Sequence, residues 1–160
     1  MPVRVDMNRR QLVRLMGGAA VAALAPAPLY AQSGRTVTVY KEAACGCCGG
    51  WVRHMTKAGF IVTAMDVANI GTIKTKHGIP DALATCHTAE VDGYLVEGHV
   101  PAVVVKRLLH ERPKAKGIAV PGMPLGSPGM ENPLHEAYDV VLFGDNGQSV
   151  FARCRGTEEI

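Results

Sequence analysis

Cys45, Cys47 and Cys48 fall within four residues in the string ACGCCGGW, and a further cysteine, Cys86, follows in TCHTA. Cys45 and Cys48 have the C-x-x-C spacing of a dithiol redox pair and stand between a strand-like TVTVY and a helix-like WVRHMTKAGF. A thiolate at a helix start is favoured by the unpaired N–H groups and by the helix dipole. Gly46 and Gly49 leave the backbone free to bring several sulfurs to one point. Cys47 departs from the simple redox pattern, because dithiol–disulfide exchange has no use for a third sulfur. Three clustered thiolates suit a soft metal instead, Cu(I), Zn(II) or an iron–sulfur centre in preference to a hard ion. Cys86 is the candidate for a fourth donor, supplied by a loop facing the same helix end. A four-sulfur zinc site is the alternative metal reading, although such a site usually brings two C-x-x-C pairs and this chain has one. The bland alternative is a structural disulfide between two of these cysteines, with the others as buried thiols.

Softer and secondary donors are also present. Met123 and Met130 sit in AVPGMPLGSPGME, a Pro/Gly scaffold that could lay a thioether over the sulfurs, although each methionine alone reads slightly better as core cover. His87, beside Cys86, and His99, in EGHVP, are candidate ligands or partners of ligands. His54, His77, His110 and His135 read as surface residues. Cys154 lies in ARCRG, where the flanking arginines suggest an exposed or edge strand, and it is read as a bystander thiol.

The elements that must position these groups follow from pattern. TVTVY and IVTAMDV read as strands, and Trp51, Val52, Met55 and Ala58 recur at helical spacing before Gly59. NIGTIKTKHGIP suggests a short helix stopped by Gly78 and Pro80, DALATCHTAEVDG a loop, and YLVEGHV a strand. Pro101 suits the first turn of a helix to about Glu111, although Val103-Val104-Val105 pulls locally towards a strand. Residues 112–133 hold five of the ten prolines and read as a defined loop. AYDVVLFGDNGQSVFARCRG alternates around Asp145-Asn146-Gly147, a hairpin signal. Strand and helix alternate and then give way to a hairpin, so the expected class is α/β, a thioredoxin-like sandwich with a mixed sheet and a C-terminal β-hairpin.

The first thirty-one residues stand apart from that domain, which is expected to span 32–160. A basic stretch ends at Arg14, an uncharged run covers Leu15 to Leu29, and Ala31 offers a small residue before Gln32: the layout of a secretory signal peptide cut near Ala31. The apolar run is shorter than the ~20 residues that span a bilayer, so no stable span is expected after cleavage. Arg9-Arg10 suggests the twin-arginine route, with Asn8 and Leu12 departing from its usual pattern. Residues 1–31 carry four arginines and one aspartate of a chain with 17 basic and 14 acidic residues, so the remainder is close to neutral. That removes any electrostatic footprint for nucleic acid. All five cysteines lie beyond the signal, and in an oxidising compartment an odd number leaves at least one unpaired or liganded.

The strings KEAACGCCGGW, TCHTAEVDGYLVEGHVPA and GIAVPGMPLGSPGME together resemble the CopG-type family of periplasmic copper-resistance proteins. The likeness runs from about Thr36 to Phe151; Val103-Val104 depart from the acidic residues usual after VPA, and Cys154 lies outside the family pattern. The resemblance implies a thioredoxin-like fold, a periplasmic location, and Cu(I) held by Cys45, Cys47, Cys48 and Cys86, in a multinuclear copper–sulfur cluster with redox activity. Copper tolerance by sequestration or redox processing is then the expected function, with the metal ion and periplasmic copper-handling proteins as partners. A thiol–disulfide oxidoreductase and a copper metallochaperone are the competing expectations.

Overall fold

A computed structural model of the protein describes residues 34–160; the expected export signal lies outside the described residues. Strands β1 (Thr36–Lys41) and β2 (Ile61–Asp66) are joined by helix α1 (Gly46–Lys57) and pair in parallel, as a helical crossover requires. Helix α2 (Ile70–His77) and a 3-10 turn (Asp81–Leu83) lead to β3 (His87–Val91), which runs antiparallel to β1 and to β4 (Tyr94–Glu97). Helix α3 (Ala102–Glu111) returns the chain to β5 (Gly117–Ala119), followed by the hairpin β6 (Ala137–Gly144) and β7 (Gly147–Arg155) and the two-residue β8 (Glu158–Glu159). The eight strands form one mixed sheet in the order β2-β1-β3-β4-β5-β6-β7-β8.

Alternation along the strands assigns the helices to faces, because successive side chains point to opposite sides of a sheet. Val37, Val39, Ala89, Val91, Val96 and Ile118 bury one face against Trp51 and Met55 of α1 and Val104, Val105 and Leu108 of α3. Leu95, Ala119 and Phe143 turn the other way and pack with Ile79 and Leu83, which follow α2. In α1 the buried positions Cys48, Trp51 and Met55 repeat on one helical stripe, and Gly59 at φ 95° stops the helix. Asn69 caps α2 by accepting the Gly71 N–H, and Gly78 ends it in the left-handed conformation.

Several boundaries differ from the sequence reading. Helix α1 starts at Gly46 rather than near Trp51, so Cys47 and Cys48 lie inside its first turn and Cys45 is its N-cap. HTAEV is strand β3 rather than loop. Its buried His87 and Thr88 hide the usual apolar alternation, and β1 and β4 supply ladders on both sides. β5 is a three-residue strand within the Pro-rich stretch. The valine run 103–105 is helical because α3 buries Val104, Val105, Leu108 and Leu109 on one side, which outweighs the weak β preference of valine.

Cys154 is fully buried, contrary to an exposed strand: Arg153 and Arg155 point outward and Cys154 inward, opposite Tyr138 across the hairpin. Burial pushes the Cys154 thiol up to about 11 and raises the Tyr138 phenol as well. Both groups are held neutral in the fold, so their contribution is complete below the ordinary values of about 9 and 10 and is lost as pH rises. Stability should therefore fall above pH ~9 by about 1.4 kcal/mol per pH unit for each group in its window. Denaturant midpoints measured from pH 8 to 11 check this, and Cys154→Val should remove the earlier part of the slope.

Candidate metal centre

The C-x-C-C segment enters α1 with Cys45 outside the helix and Cys47 and Cys48 on its first turn, so three sulfurs gather at the helix start. The fourth comes from Cys86, the last residue before β3, and ligand atoms of Cys45, Cys47, Cys48 and Cys86 all lie within 4.8 Å of one another. Cys47 Sγ is 3.5 Å from Cys45 Sγ and 3.8 Å from Cys86 Sγ. Cys45 and Cys48 are joined as a disulfide in this structure, while Cys47 and Cys86 are free thiols. The donor set fits a soft metal in kind and in spacing; holding one through all four sulfurs requires that disulfide to be reduced by two electrons.

Cys86 also belongs to a second, overlapping group with His87 and His99. Its Sγ is 3.2 Å from His99 Nε2 and 3.5 Å from His87 Nδ1. The Pro128 carbonyl lies 2.8 Å from His99 Nδ1; a proton donated there leaves Nε2 with its lone pair towards the sulfur. Burial, and then the neighbouring His99, pushes His87 down to about 3, so it is a neutral imidazole at neutral pH. It packs against Trp51 with ring centroids 4.6 Å apart, and its Nε2 is buried without a hydrogen-bond partner. Burial, and then Cys47, pushes the Cys86 thiol up to about 12. Metal capture by Cys86 must therefore displace a proton.

The Pro/Gly loop covers the helix start through backbone contact. A methyl group on Gly129 would sit 2.4 Å from the Cys47 carbonyl oxygen and 2.7 Å from the Trp51 nitrogen, and one on Gly50 would sit 2.6 Å from the Gly129 Cα. Only residues without side chains allow this approach. Met130 follows directly and is half-buried, whereas Met123 is 55% exposed and lines an open groove with Pro121, Pro124 and Tyr138. His54 is not the surface residue expected: it is half-buried, and its Nε2 accepts the N–H of Ala102 at the start of α3. His77 is also half-buried, stacked near Tyr40, while His110 and His135 are exposed as expected.

Sequence pattern missed the groups that hold Cys86 in place. Glu97 is fully buried on the α2 face of the sheet and is paired with Lys74 of α2, itself 7% exposed. Its carboxylate accepts the Thr85 N–H at 2.6 Å, the Thr85 hydroxyl at 2.9 Å and the Thr88 hydroxyl at 2.7 Å. The peptide leading into Cys86 is thus fixed by a buried ion pair. The available signal was a lone acidic residue in the otherwise apolar YLVEGHV, since a charge is buried in a strand only when paired.

Comparison with known proteins bears on this site. Residues 83–130 match a family described as "Protein of unknown function, DUF411", a stretch that includes Cys86, His87, Glu97, His99 and the Pro/Gly loop. No curated protein sequence matches the chain. Two solved structures do. "Copper resistance protein copG- Form 2" is 42% identical with a TM-score of 0.72, and "Copper resistance protein copG- Form 1" is 43% identical with a TM-score of 0.70. Each alignment covers 76% of this chain and 98% of the other. With that identity over nearly all of the matched structures, and a cysteine cluster in place, the chain belongs to the family of the copper resistance protein CopG.

Proposed function

We propose that the protein contributes to copper resistance by binding Cu(I) through Cys45, Cys47, Cys48 and Cys86, in the periplasm, after a signal over residues 1–31 has been removed. The observation that carries this is the convergence of four sulfurs within 4.8 Å, three from one helix start and one from a distant loop. Thiolates are soft donors matched to Cu(I), and four of them around one point can bridge more than one ion. Copper bound there would supply a redox-active centre. The protein's residues supply the donors, the neutral imidazoles of His87 and His99 beside them, and the cover of the loop ending at Met130.

A thioredoxin-like domain is the finer reading of the fold. The run β1-α1-β2-α2-β3-β4-α3, with a dithiol pair at the start of α1, supports it. Among the described residues no helix is long and apolar enough to cross a membrane.

The test is anaerobic titration of the fully reduced, metal-free protein with Cu(I) against a competing chelator, followed by metal analysis. More than one copper per chain with thiolate-to-copper absorption is expected, and fewer in Cys45→Ser. Stoichiometry near zero, or a Cys45→Ser variant that keeps all its copper, overturns the reading. Zinc offered at equal concentration should be displaced by Cu(I).

The Cys45–Cys48 disulfide favours a second reading, a thiol–disulfide oxidoreductase acting on protein disulfides. Insulin reduction no faster than that by free dithiothreitol would count against it. A metallochaperone that passes copper to another periplasmic protein is compatible with the same donor set.

A further inference from the structure

We propose that Cys47 and Cys86 close a second disulfide alongside Cys45–Cys48, so that the centre takes up four electrons in two pairs, with small-molecule disulfides as its oxidants. The two free sulfurs are 3.8 Å apart, against a bond length of about 2.05 Å. Rotation of one or both side chains can bridge that gap, since neither sulfur is tied to the β-ladders. Cys47 stands on the first turn of α1 and Cys86 immediately before β3, so closing the bond breaks no strand pairing. Its cost is the contact of Cys86 Sγ with His99 Nε2 at 3.2 Å.

The two thiols divide the work. Both thiols are half-buried, but Cys86 is engaged by His87 and His99, so Cys47 on the first turn of α1 is the one that meets an incoming disulfide. Its sulfur attacks R–S–S–R, forms Cys47–S–S–R, and releases one R–SH. Cys86, the neighbouring free thiol, then attacks the Cys47 sulfur and expels the second R–SH. In sum, two cysteine thiols and one R–S–S–R become one intramolecular disulfide and two R–SH: the protein pair is oxidised by two electrons, the small disulfide is reduced, and both thiol protons leave on the released R–SH. The exchange needs no metal. Its consequence for metal does rest on the copper reading: with both disulfides closed, no thiolate of the four remains to hold a soft ion.

The test uses reduced, metal-free protein exposed to excess oxidised glutathione, quenched in acid, denatured and alkylated with N-ethylmaleimide before intact-mass measurement. The expected product carries one alkylated cysteine, Cys154, out of five, and regains all five on reduction. A product fixed at three alkylated cysteines, or one holding glutathione on Cys47 as its end state, overturns the proposal. The Cys45→Ser/Cys48→Ser variant isolates the pair and excludes other pairings. Oxidation should again leave Cys154 alone alkylated, without a glutathione adduct, and two glutathiones retained would refute closure. Since copper is absent throughout, failure here leaves the Cu(I) titration standing, and failure of that titration leaves this result standing.

Discussion

Replacing Glu97 by alanine is expected to cost the fold about 3–5 kcal/mol, the range found when one member of a buried ion pair is removed. The loss comes less from the missing attraction than from what stays behind. Lys74 keeps its ammonium in a nearly dry place, with the Thr88 hydroxyl at 3.0 Å as its remaining partner. The Thr85 N–H, Thr85 hydroxyl and Thr88 hydroxyl also lose their shared acceptor. Urea midpoints measure the effect. Lys74→Met should be milder, because the carboxylate retains three donors, and Lys74→Met/Glu97→Gln should recover part of the loss by removing both charges. If Glu97→Ala costs less than about 1 kcal/mol, in the range of surface ion pairs, the pair does not stabilise the fold as its burial indicates.

Cys86→Ser is expected to weaken Cu(I) retention by more than the roughly 10- to 100-fold typical of losing an outer partner of a metal ligand. Cys86 is the one sulfur of the four that α1 does not bring, and it is also the sulfur that both histidines face. A serine hydroxyl has nearly the same shape but is a hard donor, poorly matched to Cu(I). Chelator competition at fixed pH reads the change. Cys154→Ser is the control: Cys154 lies buried in the β6–β7 hairpin, and copper affinity should not move. Retention unchanged in Cys86→Ser would reduce the centre to the C-x-C-C segment alone.

Much of this was legible in the chain itself. The Asp145-Asn146-Gly147 turn, the stripe of Trp51 and Met55, and the stop at Gly78 are local signals, and the structure follows them. The four cysteines stood out as sulfur in excess of one disulfide, and their side chains converge in the fold. What escaped was non-local. HTAEV becomes a strand only because β1 and β4 flank it, and Cys47 and Cys48 become helical because α1 extends back through glycines with poor helix propensity. The burial of Lys74 depends on a carboxylate 23 residues away, a pairing that no window on the sequence contains.

The lid over the sulfurs is written late in the chain. All four cysteines of the centre precede residue 100, but the contacts that close it, Pro128 on His99 and Gly129 on Gly50, lie about thirty residues further on. A chain shortened before Pro128 keeps all four cysteines but loses both of these contacts.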